Sequence, residues 1–395
     1  MMKQSIEDVI VAGQRVLMRV DFNVPIDVRG RILDDYRVRA TLPSIQSVLA
    51  RDGRLILMSH LGRPKTIEDR TMLSLRPIAE RLRMLLNRDV ASTGQVIGDE
   101  VENQAARLHN GDVLLLENLR FHPGELEGDL NFGKALATLG DVYCNDAFGS
   151  CHRLDASLVV VPEAMGRRPK VVGLLVEKEM RVLTELVSTP ERPFVAVLGG
   201  IKVSDKINAL NRLVEICDRI LIGGALANTF ALAEGGRIGS SLAELDQLDV
   251  ARNLLERAEN KVVLPFDFAC AASLRSGVSA HRAPFGQVPD GLAAYDVGPT
   301  TIEQFGQEVQ AASTIFWNGP VGAYETPPFD AGTWAIAEAI VRATAKSVVG
   351  GGDTAAALRQ FGFTDRVFHV STGGGASLAL LAGERLIALE LLNEL

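Results

Sequence analysis

Six basic side chains in the first half of this sequence stand where short polar tails follow apolar runs. The tails are 21–23 (DFN), 59–64 (SHLGRP), 117–122 (ENLRFH) and 145–153 (NDAFGSCHR), and Arg37 sits in DDYRVRA just ahead of a helical stretch. If each apolar run is a strand of one parallel sheet, Arg37, His60, Arg63, Arg120, His152 and Arg153 converge on a single edge. A guanidinium matches the oxygens of phosphate or carboxylate two at a time. One such arginine is ordinary solvated surface. A converging set repels itself unless an anion fills it. Asp21 and Asn23 in the first tail can orient a hydroxyl group.

The second half has different tails. They are 198–206 (LGGIKVSDK), 222–230 (IGGALANTF), 317–325 (WNGPVGAYE), 349–354 (VGGGDT) and 371–377 (STGGGAS). Glycines between a strand and a helix let backbone N–H groups approach phosphate oxygens, and the helix N-terminus adds its dipole. Lys202 precedes a helix and Lys206 sits in its first turn. Cations there disfavour the helix itself, which fits a helix start that meets bound anions. Asp353, before Thr354, has two readings: a helix cap, or a ligand of Mg²⁺ beside a phosphate. Glu325 can accept hydrogen bonds from ribose hydroxyls or be an ordinary loop carboxylate. The GxxxxGK[ST] loop, the GxGxxG dinucleotide turn and the protein-kinase motifs are all absent. Two triple glycines and a lysine pair point to a polyphosphate site built another way.

The elements that must position these residues alternate from end to end. Strands are expected at 15–22, 54–60, 112–118 and 141–146, with helices at 41–52, 74–87 and 131–139. A long amphipathic helix is expected at 171–187, followed by the breaker STPERP. Beyond it the alternation restarts with FVAVLGG and runs to a last helix at about 375–393. Helices alternating with apolar strands imply parallel sheets covered on both faces. The chain has 395 residues, too many for one ordinary core, so two such domains are expected.

Composition narrows the functions. The net charge is −8 with no Lys/Arg block, which argues against broad nucleic-acid or anionic-membrane binding. No apolar stretch approaches a bilayer span, and no signal peptide is read at the start. Cys144, Cys151, Cys217 and Cys270 are scattered without a CxxC pair, as in a cytoplasmic protein with reduced, buried thiols.

Eight segments together resemble one known family in its own order. They are MRVDFNVP (18–25), MSHLGRP (58–64), ENLRFH (117–122), NDAFG (145–149), LGGIKVSDKI (198–207), WNGPVGAYE (317–325), GGGDT (350–354) and STGGGAS (371–377). They are similar to the signatures of the phosphoglycerate kinases. The resemblance implies an α/β fold of two doubly wound, Rossmann-like domains, with parallel sheets facing across a cleft and a long helix joining them. It places a 3-phosphoglycerate-binding domain at 1–170, the helix and linker at 171–190 and a nucleotide domain at 191–375, with 376–395 packing back on the first domain. Asp21, Asn23, Arg37, His60, Arg63, Arg120 and Arg153 match the family's 3-phosphoglycerate site. Arg37 and Lys202 match groups that stabilise the transferring phosphoryl. Lys202, Lys206, Asn318, Glu325, Gly351, Gly352, Asp353 and Thr354 match the ATP/ADP site, and Asp353 matches the Mg²⁺ ligand.

The sequence departs from the family in three places. Asp155 stands where HRxH usually has its second histidine, Ile201 replaces an alanine, and RLIALELL replaces an LPG turn, so the last helix is expected to run on. The resemblance implies reversible transfer between 1,3-bisphosphoglycerate with ADP and 3-phosphoglycerate with ATP, by a monomer that closes on hinges at 171–190 and near Ser371 and Thr372. The alternative is a non-catalytic relative that binds the same ligands. A dehydrogenase lacks its glycine fingerprint here.

Overall fold

A computed structural model describes residues 3–27 and 29–395. The chain divides into two compact units, residues 1–181 with 385–395, and residues 182–384. The division falls inside the helix Leu174–Ser188.

The first unit is built on a six-stranded parallel sheet. Its strands are β1 (Arg15–Val20), β2 (Arg54–Met58), β3 (Ala91–Ser92), β4 (Val113–Leu115), β5 (Val142–Asp146) and β6 (Lys170–Val172), in the order β3-β4-β2-β1-β5-β6. β1 lies at the point where the order reverses, between β2 and β5. Its residues Val16 to Val20 are all buried, as a strand covered on both faces requires. Val16, Met18 and Val20 share a core with Ile45 and Val48 of the helix Leu42–Leu49 and with Ile78 and Leu82 of the helix Arg76–Leu86. Leu17 is fully buried on the other face. The C-terminal stretch belongs to this unit: Asn393 pairs with Lys170 through its backbone N–H and its side-chain oxygen, each at 2.8 Å.

The second unit carries another six-stranded parallel sheet and two small ones. Its strands are β7 (Phe194–Leu198), β8 (Arg219–Ile222), β9 (Arg237–Ile238), β10 (Val262–Val263), β11 (Asp267–Ala271), β12 (His281–Pro284), β13 (Gln287–Val288), β14 (Ala293–Val297), β15 (Thr314–Asn318), β16 (Lys346–Gly350) and β17 (His369–Val370). The large sheet runs β10-β8-β7-β15-β16-β17. The fold class expected from the alternation is present in both units.

Two local expectations fail and one segment goes unforeseen. The long helix does not begin at 171: Val171 and Val172 lie in edge strand β6, and Gly173 separates them from a helix that starts at Leu174. Residues 267–297 form an antiparallel sheet, β12-β11-β14, that the alternation does not foretell. The last helix does not run to 393. It spans Gly374–Leu381 and stops at Gly383, which adopts φ +76°. Glu384 N–H then bonds to the Ala379 carbonyl and Gly383 N–H to that of Leu380, a Schellman stop, and only a short helix, Ile387–Glu390, follows.

Two buried carboxyls tie loops to helix starts. Asp146, ending β5, accepts the N–H groups of Leu175 and Val176 on Oδ1 at 3.0 and 3.3 Å. A Cβ on Gly173 would stand 2.1 Å from that oxygen, so only glycine fits. Asp296, in β14, accepts from Val297 at 2.8 Å and from Gly332, in the first turn of the helix Ala331–Arg342, at 2.7 Å. Burial pushes the Asp146 carboxyl up from 3.8 to about 7 and that of Asp296 up to about 8. The folded state therefore holds protons that the unfolded chain has released. This contribution to stability is complete below the unfolded value and is lost as pH rises through about 7 and about 8. Denaturant midpoints should fall from about pH 4 to about pH 8, and Asp146→Asn should make the fall shallower below about pH 7. A wild-type midpoint constant across that range would contradict both raised carboxyls.

Candidate active site

In the first unit the predicted residues other than Arg37 stand at the carboxyl ends of β1, β2, β4 and β5, and Arg37 lies in the short helix Tyr36–Ala40. Asp21, just past β1, is buried and lies at the centre of the set. Its Oδ2 accepts from Nη1 of Arg37 at 2.9 Å, and its Oδ1 accepts the Asn23 N–H at 3.1 Å. Asn23 Oδ1 accepts the Gly62 N–H at 2.9 Å, which ties the first tail to the second. Arg120 donates to the Gly62 carbonyl at 2.6 Å, which ties in the third, while its Nε is buried without a partner. Burial by itself would raise the Asp21 carboxyl, but the positive charge around it, Arg37 first, draws it down to about 2. Arg120 is held below its ordinary value by burial and by the charges of Arg153, Arg19 and Arg63. His60 feels Arg120 and Arg153 as well. Asp21, Asn23, Arg37, His60, Arg63, Arg120 and Arg153 are thus one neighbourhood. Arg37 is not free of carboxylates: Asp21 neutralises part of its charge. Arg63 and His152 are exposed and Arg153 is half-buried. Asp155 is buried, with Oδ2 lacking a partner.

A layer beneath these residues was not anticipated. Arg19, inside β1, is fully buried, and so is Glu125, 3.8 Å away. Arg19 Nε donates to Ser157 Oγ at 2.8 Å, and Nη2 lies 3.1 Å from His60 Nδ1. Glu125 accepts the N–H of Ser157 at 2.9 Å and its hydroxyl at 2.6 Å. Burial raises the Glu125 carboxyl, and Arg19 pulls it back. The signal was in the sequence: an arginine in the middle of the apolar run RVLMRV has to find buried partners.

In the second unit the glycine tails meet at the carboxyl ends of β7, β8, β15, β16 and β17. Gly199 N–H bonds to Asn318 O, Gly200 N–H to Pro320 O and Gly224 N–H to Val321 O, at 3.0, 2.8 and 2.9 Å. Lys206 is the N-cap residue of the helix Ile207–Ile216, not part of its first turn. Its Nζ donates to Asn318 Oδ1 at 2.7 Å. That contact assigns the Asn318 amide: Nδ2 is the buried end without a partner, and a Cβ on Gly350 or Gly351 would lie 3.3 Å from it. Thr354 Oγ1 accepts the Gly319 N–H at 2.7 Å. Gly351 is the N-cap residue of the helix Gly352–Gln360, and a Cβ on Gly374 would come within 3.1 Å of Gly351 Cα, so the two triple-glycine loops touch. Burial lowers the Lys206 ammonium against the opposing charges of Asp205 and Asp353. Burial, Glu325 and Asp353 raise the Tyr324 hydroxyl to about 12. Lys206, Asn318, Glu325, Gly351, Gly352, Asp353 and Thr354 are therefore brought together. Lys202 is exposed on the loop four residues before Lys206, and Ile201 is exposed beside it.

Among the described residues no group of three or more His, Cys, Asp or Glu side chains suits a metal. One exposed carboxylate, Asp353, stands at a helix start. Mg²⁺ takes one or two carboxylates and completes its shell with phosphates and water, so this donor set fits it when a polyphosphate is present.

Two parallel sheets, one ending in guanidinium groups and the other in glycine loops around a lysine, define an α/β protein with candidate anion sites at its strand ends. The sequence profile of the phosphoglycerate kinases matches residues 6–384. The phosphoglycerate kinase of Rhodopirellula baltica is 51% identical over 396 residues, covering 100% of both chains. That of Desulforudis audaxviator is 47% identical over 388 residues, covering 98% of each. The solved phosphoglycerate kinase structures from Coxiella burnetii and Pyrococcus horikoshii superpose with TM-scores of 0.83 and 0.87 at 36% and 29% identity, covering 98% of each chain. The chain belongs to the phosphoglycerate kinase family.

Gly351 tests the second pocket. Its φ of +99° and ψ of 137° suit glycine alone. Gly351→Ala should cost about 1–3 kcal/mol of stability. It should also weaken nucleotide binding by more than about tenfold, because an added methyl crowds Asn318. Calorimetric titration with Mg-ATP, alongside a thermal melt, checks both. Undiminished affinity would remove Asn318 and Gly351 from the site.

Proposed function

We propose that this chain transfers the terminal phosphoryl group of ATP to the carboxyl group of 3-phosphoglycerate, and the reverse from 1,3-bisphosphoglycerate to ADP, as a step of glycolysis and gluconeogenesis. The observation that carries this reading is the convergence of His60, Arg63, Arg120 and Arg153, at neighbouring strand ends, with the Arg37–Asp21 pair. A small doubly anionic acid satisfies such a set. Asp21 and Asn23 orient its hydroxyl, and the guanidinium groups hold its phosphate and carboxylate.

Nucleotide binds the second unit. Asn318 Nδ2 and the backbone at Gly351 and Gly352 donate to phosphate oxygens, Lys202 and Lys206 supply charge, and Glu325 accepts from the ribose. Asp353 holds Mg²⁺. When bound, the ion neutralises charge on the phosphate oxygens. Thr354 keeps the loop in shape through Gly319.

The transfer is direct and in line, with no covalent enzyme intermediate. Side chains have little bond-making to do in this chemistry, so rate comes from positioning and charge neutralisation. Arg37 and Lys202 act on the moving phosphoryl group. Asp21 holds Arg37 in readiness, and the phosphoryl competes with Asp21 for the guanidinium as charge develops. Acceptor and donor bind different units, so turnover needs a closing motion about the helix Leu174–Ser188 and the segment at Ser371 and Thr372. The four cysteines are free and buried, which suits the reducing cytoplasm. No helix among the described residues is long and apolar enough to cross a membrane. We take the working form to be a monomer.

A coupled assay of 3-phosphoglycerate with Mg-ATP tests the activity directly; no turnover would leave a binding protein. Arg37→Ala should lower kcat by about 10²–10³ while fold and nucleotide affinity persist. Full activity in that variant would refute its role. Asp353→Ala should weaken Mg-nucleotide binding with little effect on free nucleotide. Equal Mg-nucleotide affinity in the variant would leave Asp353 a helix cap.

A further inference from the structure

Arg19 has no place in the ligand contacts above, yet among the described residues it is the one Lys or Arg that is buried. All three of its nitrogens are engaged and its side chain is fully buried. Nε donates to Ser157 Oγ, Nη1 donates to the Val20 carbonyl, and Nη2 lies 3.1 Å from His60 Nδ1. Ser157 is itself pinned. Glu125 receives its N–H and hydroxyl, and its carbonyl accepts the Tyr143 hydroxyl at 2.9 Å. The guanidinium therefore cannot swing away from His60.

A guanidinium only donates. The Arg19–His60 contact is a hydrogen bond only if Nδ1 offers its lone pair, so Nδ1 bears no proton. A neutral imidazole then carries its proton on Nε2. The imidazolium, protonated on both nitrogens, would set two donors against each other. The groups that face the ring are Arg19 from β1, Asp21 after β1, Arg120 after β4 and Arg153 after β5. Three of these four are cations, and the ring is 1% exposed. Burial first, and then the arginines, keep His60 neutral against the pull of Asp21.

We infer that Arg19 is a positioning residue that fixes His60 as a neutral Nε2–H donor. Phosphoglycerate then always meets a hydrogen-bond donor on this ring, never a lone pair and never a titrating charge. The inference rests on the reading that His60 contacts phosphoglycerate. Its consequence is that phosphoglycerate affinity does not vary with the protonation of His60 across the neutral range, although an ordinary histidine titrates there.

The test is long-range ¹H–¹⁵N NMR on the uniformly labelled full chain. The chain has six histidines, and His60 is assigned as the ring lost in His60→Gln. The expected pattern is an unprotonated Nδ1 and a protonated Nε2, unchanged from about pH 5.5 to about pH 8. A proton on Nδ1, or a ring that titrates in that range, overturns the inference and needs no variant. In Arg19→Met the ring should titrate, and KM for 3-phosphoglycerate should rise by about tenfold or more and become pH-dependent. KM for Mg-ATP should stay within about twofold, and Arg19→Lys, which keeps a donor, should restore part of the pattern. An unchanged His60 spectrum in a folded Arg19→Met protein also overturns it. Should that variant fail to fold, the wild-type spectrum decides alone, because a protonated Nδ1 or a titrating ring there already overturns the inference. The underlying ligand reading has its own control: if His60→Gln leaves KM for 3-phosphoglycerate unchanged, that reading fails, whatever tautomer the ring adopts.

Discussion

Like charges crowded at one sheet edge are the constraint on which the first unit is built. Arg19, Arg63 and Arg153 lie close enough to hold Arg120 below its ordinary value, and Arg37 joins them across Asp21. Such a group stays assembled only if the surrounding structure holds each member down. The bonds that do so are visible: Asp21 on Arg37, the Gly62 carbonyl on Arg120, and Ser157 with Glu125 on Arg19. The excess positive charge left over is what an anionic ligand answers. A pocket arranged in advance in this way spares the ligand the cost of ordering it.

The second unit solves a related problem without guanidinium groups. Its donors are backbone N–H groups at strand-to-helix turns and one amide, Asn318 Nδ2, left without a partner. Lys206 aligns that amide from the other side. Neutral donors oriented by the fold suit a polyphosphate whose charge Mg²⁺ partly cancels, whereas a bare phosphorylated acid needs full cations. On the proposed function, the contrast between the halves matches the two ligands.

Buried carboxyls recur at the joints of both units. Asp146 joins the tail of β5 to the start of the helix Leu174–Ser188, and Asp296 joins β14 to the start of the helix Ala331–Arg342. Each uses an acid where a helix start supplies unpaired N–H groups. Gly173 and Gly332 exist beside them because a side chain there would collide with the carboxyl.

The fold class, and the residues gathered at the candidate site, were legible in residue order alone. Apolar runs of strand length ending in Arg, His or Gly mark where a parallel sheet delivers its ligands, and this is a local signal. The same signal singled out Asp21, Lys206 and Asp353 without any coordinates, and Arg37 was added from its place ahead of the first helix. It failed where the deciding partner lies far along the chain. The antiparallel strands at 267–297 depend on pairing with one another, so no helical alternation announced them. The terminal helix was expected to run on because its composition is helical, yet the Schellman bonds at Gly383 end it. Only the tertiary structure decided that Asp21 partly neutralises Arg37, which end of Asn318 is free, and that Arg19, 41 residues before His60, governs that ring. Which groups attract and which are already satisfied depends on distance in space, and residue order does not encode it.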